Sequence, residues 1–351
     1  MLVITNYQKG TASAAAKRSS TNRPEERQEK IYSVLVDQYN VLVPDQTLTS
    51  EKIVQLGVHT ADYLDFLENV YASFQETPDN DYMKSDGLVP YHFSRRLNFQ
   101  TWRSLSLFKQ MGYYCDDVIT PINQDTYRHA MESANNTYTA ARLILDGTRQ
   151  HVYCLNSSPG HHAMRSGYGG YCFLNNALIA ATELARHGQR VAILDVDYHA
   201  GNGMADILQH LPLKLSILAI SIHADPKYEY PSYSGFVDEI GPSNNHNYVF
   251  EKNAKWPSYR DHCLLPALGQ IKKFLPDVIV VAFGSDTYAR DPDASILYGC
   301  GLEVDDYLEM GRLISMACSK IIICQEGGYS EAVPQITDNF LKGIGGRSRG
   351  T

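Results

Sequence analysis

Paired cysteines are missing from this chain. Its seven cysteines, at 115, 154, 172, 263, 300, 318 and 324, are an odd number and contain no C-x-x-C pair. Most lie in apolar surroundings, so buried thiols in a reducing compartment are expected in place of a disulfide framework. Long hydrophobic runs are missing too: no apolar stretch approaches the ~20 residues that a membrane-spanning helix needs. The opening Met1-Leu2-Val3-Ile4-Thr5-Asn6-Tyr7 has no basic segment ahead of a sustained apolar core, so no secretory signal is expected. A soluble cytoplasmic protein with no membrane contact follows. Positive charge is in deficit, with 31 Lys and Arg against 39 Asp and Glu and a formal net charge of −8. Duplex binding needs a basic surface that displaces counterions, so direct nucleic-acid binding is not expected. No internal repeat, linker or low-complexity tract divides the chain. The 351 residues, 44% hydrophobic and 20% charged, therefore read as a single domain over 1–351.

From residue 150 onward short apolar runs alternate with longer helical patterns. Segments 191–194, 216–222, 278–283 and 321–324 are rich in branched residues, as buried parallel strands are. Between them, 175–186 and 259–274 carry helical spacing, and Gly188 stands where the first should stop. This alternation predicts an α/β fold with a mostly parallel sheet covered by helices on both faces. Upstream, 124–145 reads as a helix packed on the sheet, and 1–30 as a polar N-terminal segment leading to a helix that includes 31–35. Residues 74–110 are irregular and long, and loops of that length are usually functional. They predict an insertion near a site mouth or a subunit contact.

Ligands in parallel sheets bind beyond the carboxyl ends of strands. Asp195-Val196-Asp197-Tyr198-His199, Gly284-Ser285-Asp286 and Glu326-Gly327-Gly328-Tyr329 all fall there. Asp197 and His199, two apart in extended backbone, share one side, and Asp286 could complete a three-ligand set. Three protein ligands with an open position describe a catalytic zinc site, whereas closed structural sites use four, mostly Cys and His. Taken alone, Asp-x-His also suits a carboxylate that orients a core histidine. His161-His162 follows Pro159-Gly160; adjacent histidines in a loop also suit a polar surface. Beside a metal, the two imidazoles could divide labour, one held charged by a carboxylate and the other kept near neutrality to move a proton. Asp195 is a candidate orienter for one and Asn202 for the other; only the carboxylate would raise a histidine's pKa by its charge. The Tyr329 phenol could donate to a carbonyl oxygen as it becomes an oxyanion; it could equally be an ordinary turn tyrosine.

Five passages carry a resemblance. They are Pro159-Gly160-His161-His162-Ala163, Gly169-Gly170-Tyr171-Cys172-Phe173-Leu174-Asn175-Asn176, residues 195–203, residues 284–292, and Glu326-Gly327-Gly328-Tyr329. In order and spacing the chain resembles the zinc-dependent arginase/deacetylase superfamily, and within it the histone deacetylase and acetylpolyamine amidohydrolase group. The likeness is specific from about 150 to 330, and weaker through Arg23-Pro24-Glu25 and Gly57-Val58-His59. It implies the arginase/deacetylase fold, with about eight strands, and one Zn2+ per chain on Asp197, His199 and Asp286. By the same likeness His162 is the general base and acid, His161 its electrostatic partner, and Tyr329 the group that polarises the amide carbonyl. Asp195 and Asn202 match the residues behind the histidines, and Asp195, with backbone near His199 and Ser221, matches a structural K+ site. Gly170 and Tyr171 match the lining of the acetyl-bearing arm of the substrate.

The chain departs from the pattern at Ala200, where a second histidine is common; a packing change is expected there. One channel wall should come from 225–235, with Lys227, Tyr228, Tyr230 and Tyr233 all open. Three features look more like acetylpolyamine amidohydrolases than classical histone deacetylases: Glu326 in place of a further glycine, the 74–110 stretch, which in those enzymes narrows the mouth and builds a homodimer, and Asp293 at the rim. An acidic side chain at 293 would favour a distal ammonium, although it could also be a solvated turn carboxylate. Asp116 and Asp117 could add to an acidic mouth. The expected activity is hydrolysis of N-acetylated polyamines or similar small acetylated amines to amine and acetate. The alternatives are a protein acetyl-lysine deacetylase, a binuclear manganese ureohydrolase, which needs more carboxylates than are found, and a non-catalytic protein that senses acetylated ligands.

Overall fold

The computed structural model describes residues 1–7, 24–76, 87–90, 92–93, 106–212, 214–239, 245–294 and 297–345. Strands β1 (Leu2–Ile4), β2 (Asn40–Leu42), β3 (His151–Cys154), β4 (Val191–Asp195), β5 (Ile217–His223), β6 (Asn245–Val249), β7 (Val278–Phe283) and β8 (Ile321–Gln325) form one eight-stranded sheet. Its order is β2-β1-β3-β8-β7-β4-β5-β6, and each pairing is parallel. This is the arginase/deacetylase architecture that the resemblance implies.

The continuous apolar runs are explained by burial on both sides. Alternate side chains of a strand point to opposite faces, and here each face has its own core. Val191, Ile193, Val278, Val280 and Ile322 pack under the helices Ala61–Gln75, Thr126–Leu145 and Asn176–Arg186. Ala192, Leu194, Ile279, Val281 and Ile323 pack on the opposite face with Ile31, Ala267, Met310 and Phe340. Phe340, from the last helix Val333–Ile344, stacks on Phe283 of β7 at 4.1 Å between ring centres. Truncating such a buried ring leaves a cavity that costs about 3–5 kcal/mol.

Several boundaries differ from the sequence expectation. Within 1–30, Leu2–Ile4 is a buried strand paired to both β2 and β3, and the next helix begins at Pro24 and runs to Leu35. A three-residue strand is too short to show a period, which is why the polar reading missed it. The helix expected over 259–274 starts at Trp256 and carries a π-turn at Arg260–Leu264. Most of 74–110 (77–86, 91 and 94–105), together with Arg23, lies outside the described residues. The rest includes an antiparallel bridge between Leu88 and Ile122 and the start of a helix, Leu107–Tyr114. Among the described residues no helix is long and apolar enough to cross a membrane.

Because the sheet is parallel, the segments after β3, β4, β5, β7 and β8 all leave from one edge. The glutamate, histidines and aspartates of interest lie on them.

Candidate active site

Asp197 and His199 follow β4, and Asp286 follows β7, its sheet neighbour. Main-chain amides aim the carboxylates. The N–H of His199 donates to Asp197 Oδ1 at 2.9 Å, that of Gly327 to Asp197 Oδ2 at 2.8 Å, and that of Tyr198 to Asp286 Oδ1 at 2.9 Å. One ligand atom from each of Asp197, His199 and Asp286 lies within 4.8 Å of the other two. His199 Nδ1 is the imidazole atom that faces both carboxylates, 3.4 Å from Asp197 Oδ1 and 3.5 Å from Asp286 Oδ2. Close approach of the β7 end requires Gly284, where a Cβ would stand 2.1 Å from Asp197 Oδ2.

This trio fits a divalent cation. Asp286 Oδ2 is buried and accepts no hydrogen bond, although orphaned buried acceptors are rare. Burial, and then the charge of Asp197, push the Asp286 carboxyl up to about 8. A cation between the carboxylates would relieve both causes and use the free oxygen. Two carboxylates and one imidazole leave open positions, the pattern of a catalytic site.

His161 and His162 follow β3 and are each only 3% exposed. Glu326, just past β8, holds their loop: its Oε2 accepts the N–H groups of Gly160 at 2.5 Å and His161 at 3.1 Å. The two imidazoles lie 3.9 Å apart between centroids, yet their surroundings push them in opposite directions. Burial alone would depress His161, but Asp197 and Asp195 outweigh it and hold the ring up at about 10. Asp195 Oδ2 lies 3.0 Å from its Nδ1. His162 is pushed well down, by burial first and then by the charges of His161 and His199. Its Nδ1 sits 2.7 Å from Asn202 Oδ1, an amide that adds no charge. Pairs whose environments drive pKa values apart mark acid and base roles. The neutral ring is pressed by Gly170, whose backbone has φ +54° and where a Cβ would lie 2.2 Å from His162 Cδ2. Only glycine suits both demands.

One pocket of about 230 Å³ has both groups on its lining, together with Gly170, Tyr171, Tyr230, Asp293 and Tyr329. Asp291 sets the last turn: its Oδ2 accepts the N–H of Tyr329 at 2.7 Å and that of Ser330 at 2.9 Å. The Tyr329 phenol is pushed well above its ordinary value by burial, so it stays a proton donor. Arg27 stacks 5.1 Å from its ring centre while donating to Glu326 O at 2.6 Å. Thus Tyr329, Glu326 and the histidine loop are tied together from behind.

All the singled-out residues come to this place. His161, His162, Asp197, His199, Asp286, Gly170, Tyr171, Asp293 and Tyr329 line the pocket, while Asp195 and Asn202 sit behind the histidines. Of the four wall candidates it is Tyr230 that lines it, edge-on to His162 at 4.8 Å. Tyr228 and Tyr233 are 65% and 54% exposed. Asp117 joins the walls: its Oδ2 accepts from Tyr230 Oη at 3.1 Å and Gly170 N at 2.6 Å. Sequence reasoning did not find Arg27, Ile119, Glu229 or the clamp by Asp291. Asp291-Pro292, at the end of the 284–292 segment, was the available signal for the last; the others have no local motif.

Comparison with known proteins agrees with this architecture. The histone deacetylase domain family matches residues 21–344. Acetylpolyamine amidohydrolase 1 of Pseudomonas aeruginosa is 37% identical over 301 residues, 84% of this chain and 83% of that protein. Acetylpolyamine amidohydrolase 2 of the same organism is 35% identical, over 83% and 82% of the two chains. The crystal structure of acetylpolyamine aminohydrolase from Burkholderia pseudomallei superposes with a TM-score of 0.83 at 28% identity, covering 98% of each chain.

Proposed function

Because the chain belongs to the histone deacetylase domain family, we propose that it removes acetyl groups from N-acetylated polyamines or similar small acetylated amines, releasing acetate. The observation that carries this reading is one pocket of about 230 Å³ that gathers the groups of the site. At its floor are an ion-fitting trio, a charged and a neutral histidine and a tyrosine, and Asp293 stands on its lining. The relatives named as acetylpolyamine amidohydrolases support the substrate class.

Asp197, His199 and Asp286 would hold one zinc ion, which supplies positive charge that polarises the amide carbonyl and makes water more acidic. The protein's own groups do the rest. His162, neutral and with Nδ1 turned to Asn202, takes a proton from the attacking water at Nε2 and returns it to the leaving amine nitrogen. His161 stays protonated beside Asp195 and supplies fixed charge next to the reacting carbon. Tyr329 donates its O–H to the carbonyl oxygen as that oxygen gains negative charge. Tyr171, Tyr230 and Ile119 enclose the acyl end and limit water. Asp293, further out, pairs with a distal ammonium. Asp195 also faces Ser221 across the register of β4 and β5. That carboxylate and hydroxyl, with nearby main-chain carbonyls, are donors that suit K+.

The rival is a protein acetyl-lysine deacetylase on the same floor. Turnover of N-acetylputrescine against an acetyl-lysine peptide decides between them. The small amine should be preferred in kcat/KM, and efficient peptide turnover with inert polyamines would overturn the reading.

A further inference from the structure

A line of hydrogen bonds leaves the back of His162 and ends at Asp116, next in sequence to the Asp117 that holds Tyr230. His162 Nδ1 meets Asn202 Oδ1 at 2.7 Å, and Asn202 Nδ2 donates to Tyr233 Oη at 2.9 Å. The Tyr233 hydroxyl donates in turn to Asp116 Oδ2 in a short hydrogen bond. Asn202 is buried; the Tyr233 ring is half exposed, and its hydroxyl meets Asn202 and Asp116, with the Met164 Sδ further off at 3.9 Å.

The direction of each bond follows from what each atom can do. A carboxylate only accepts and is a far stronger acceptor than the Met164 thioether, so the single hydroxyl proton of Tyr233 goes to Asp116. Towards Asn202 the hydroxyl then offers only a lone pair. Asn202 must present its NH2 there and its carbonyl oxygen to His162. That oxygen can only accept, so Nδ1 carries the ring proton and Nε2 is bare. The reversed amide would place NH2 against Nδ1 and move the proton to Nε2, loading the base before substrate arrives.

We propose that Tyr233, held by Asp116, is a positioning residue for proton transfer: it fixes the amide of Asn202 and, through it, the tautomer of His162. This rests on the reading of His162 as the base.

A substitution that makes amide orientation irrelevant tests it. In Asn202→Asp both side-chain oxygens accept, so nothing remains for Tyr233 to orient. Tyr233→Phe in the natural background should lower kcat about threefold to tenfold, the worth of one net hydrogen bond, with KM unchanged. In the Asn202→Asp background the same change should cost less than about twofold. Ring 15N spectra should show His162 protonated at Nδ1 in the natural protein and a mixture of tautomers in Tyr233→Phe. Equal losses in both backgrounds, a loss confined to KM, or an unmoved tautomer would overturn the proposal. His162→Ala separates the two layers. If that variant is inactive, additive losses sink only the role of Tyr233; retained turnover sinks the base assignment and this proposal with it.

Discussion

The floor of the pocket and its mouth are built in different ways. At the floor, Asp195, Asp197, Asp286 and Glu326 are at most 1% exposed. Each stands within a few residues of a strand end and is gripped by main-chain N–H groups or a neighbouring ring. The mouth is built from side chains delivered by loops distant in sequence. Asp117 reaches Tyr230, and Asp116 reaches Tyr233 over 117 positions. At the floor the donors are main-chain N–H groups, which stay in place whatever side chains their own residues carry. At the mouth, by contrast, Tyr230 and Tyr233 are each held by a hydrogen bond between two side chains, and either partner can be substituted. Chemistry is thus anchored in the sheet, and selectivity is carried by what hangs over it.

Removing the cation tests the floor most severely. Dialysis against a chelator should abolish turnover, and zinc should restore it at one ion per chain by metal analysis; full activity without metal would end the mechanism. Next, His162→Ala should lower kcat by about 10²–10⁴ with KM little changed, read in steady-state kinetics with metal content measured in parallel. Tyr329→Phe should cost about 10²–10³ in kcat with the ion retained, and a rate near that of the natural protein would remove Tyr329 from the reaction. The mouth should respond more gently. Asp293→Asn should lower kcat/KM for N-acetylputrescine by about threefold to fivefold, in keeping with one partly screened ion pair. Turnover of a substrate without a distal ammonium should be unaffected. Equal losses on both substrates would make Asp293 part of the floor and dissolve the contrast.

The same division explains what could be read in advance. The floor is local: β4 delivers Asp195, Asp197 and His199 within five positions, and an apolar run followed by such residues is visible in one dimension. The parallel sheet was legible for a related reason, since strands buried on both faces need uninterrupted apolar runs. What escaped depends on distance. β1 is too short to carry a period, yet it pairs with β3, some 150 positions away. Tyr230 could not be told from Tyr228 or Tyr233 because the difference lies in which distant side chain each meets: Asp117, Tyr298 and Asp116 respectively. Arg27 touches Tyr329 and Glu326 from the far side of the fold, and nothing in its neighbours announces that.

The position of β8 has a consequence for how the molecule comes into being. Among the described residues it is the last strand, yet it lies in the middle of the sheet, between β3 and β7. Until it emerges, β2-β1-β3 and β7-β4-β5-β6 have no shared edge. The first group carries the histidines and the second carries the metal trio. Synthesis proceeds from the N-terminus, so the strand that joins the two groups is made after every strand it joins. A nascent chain halted before Ile321 lacks the strand between β3 and β7, and limited proteolysis should cut such halted chains more readily than the whole protein. The histidines and the metal trio are therefore joined through one sheet only once β8 is in place.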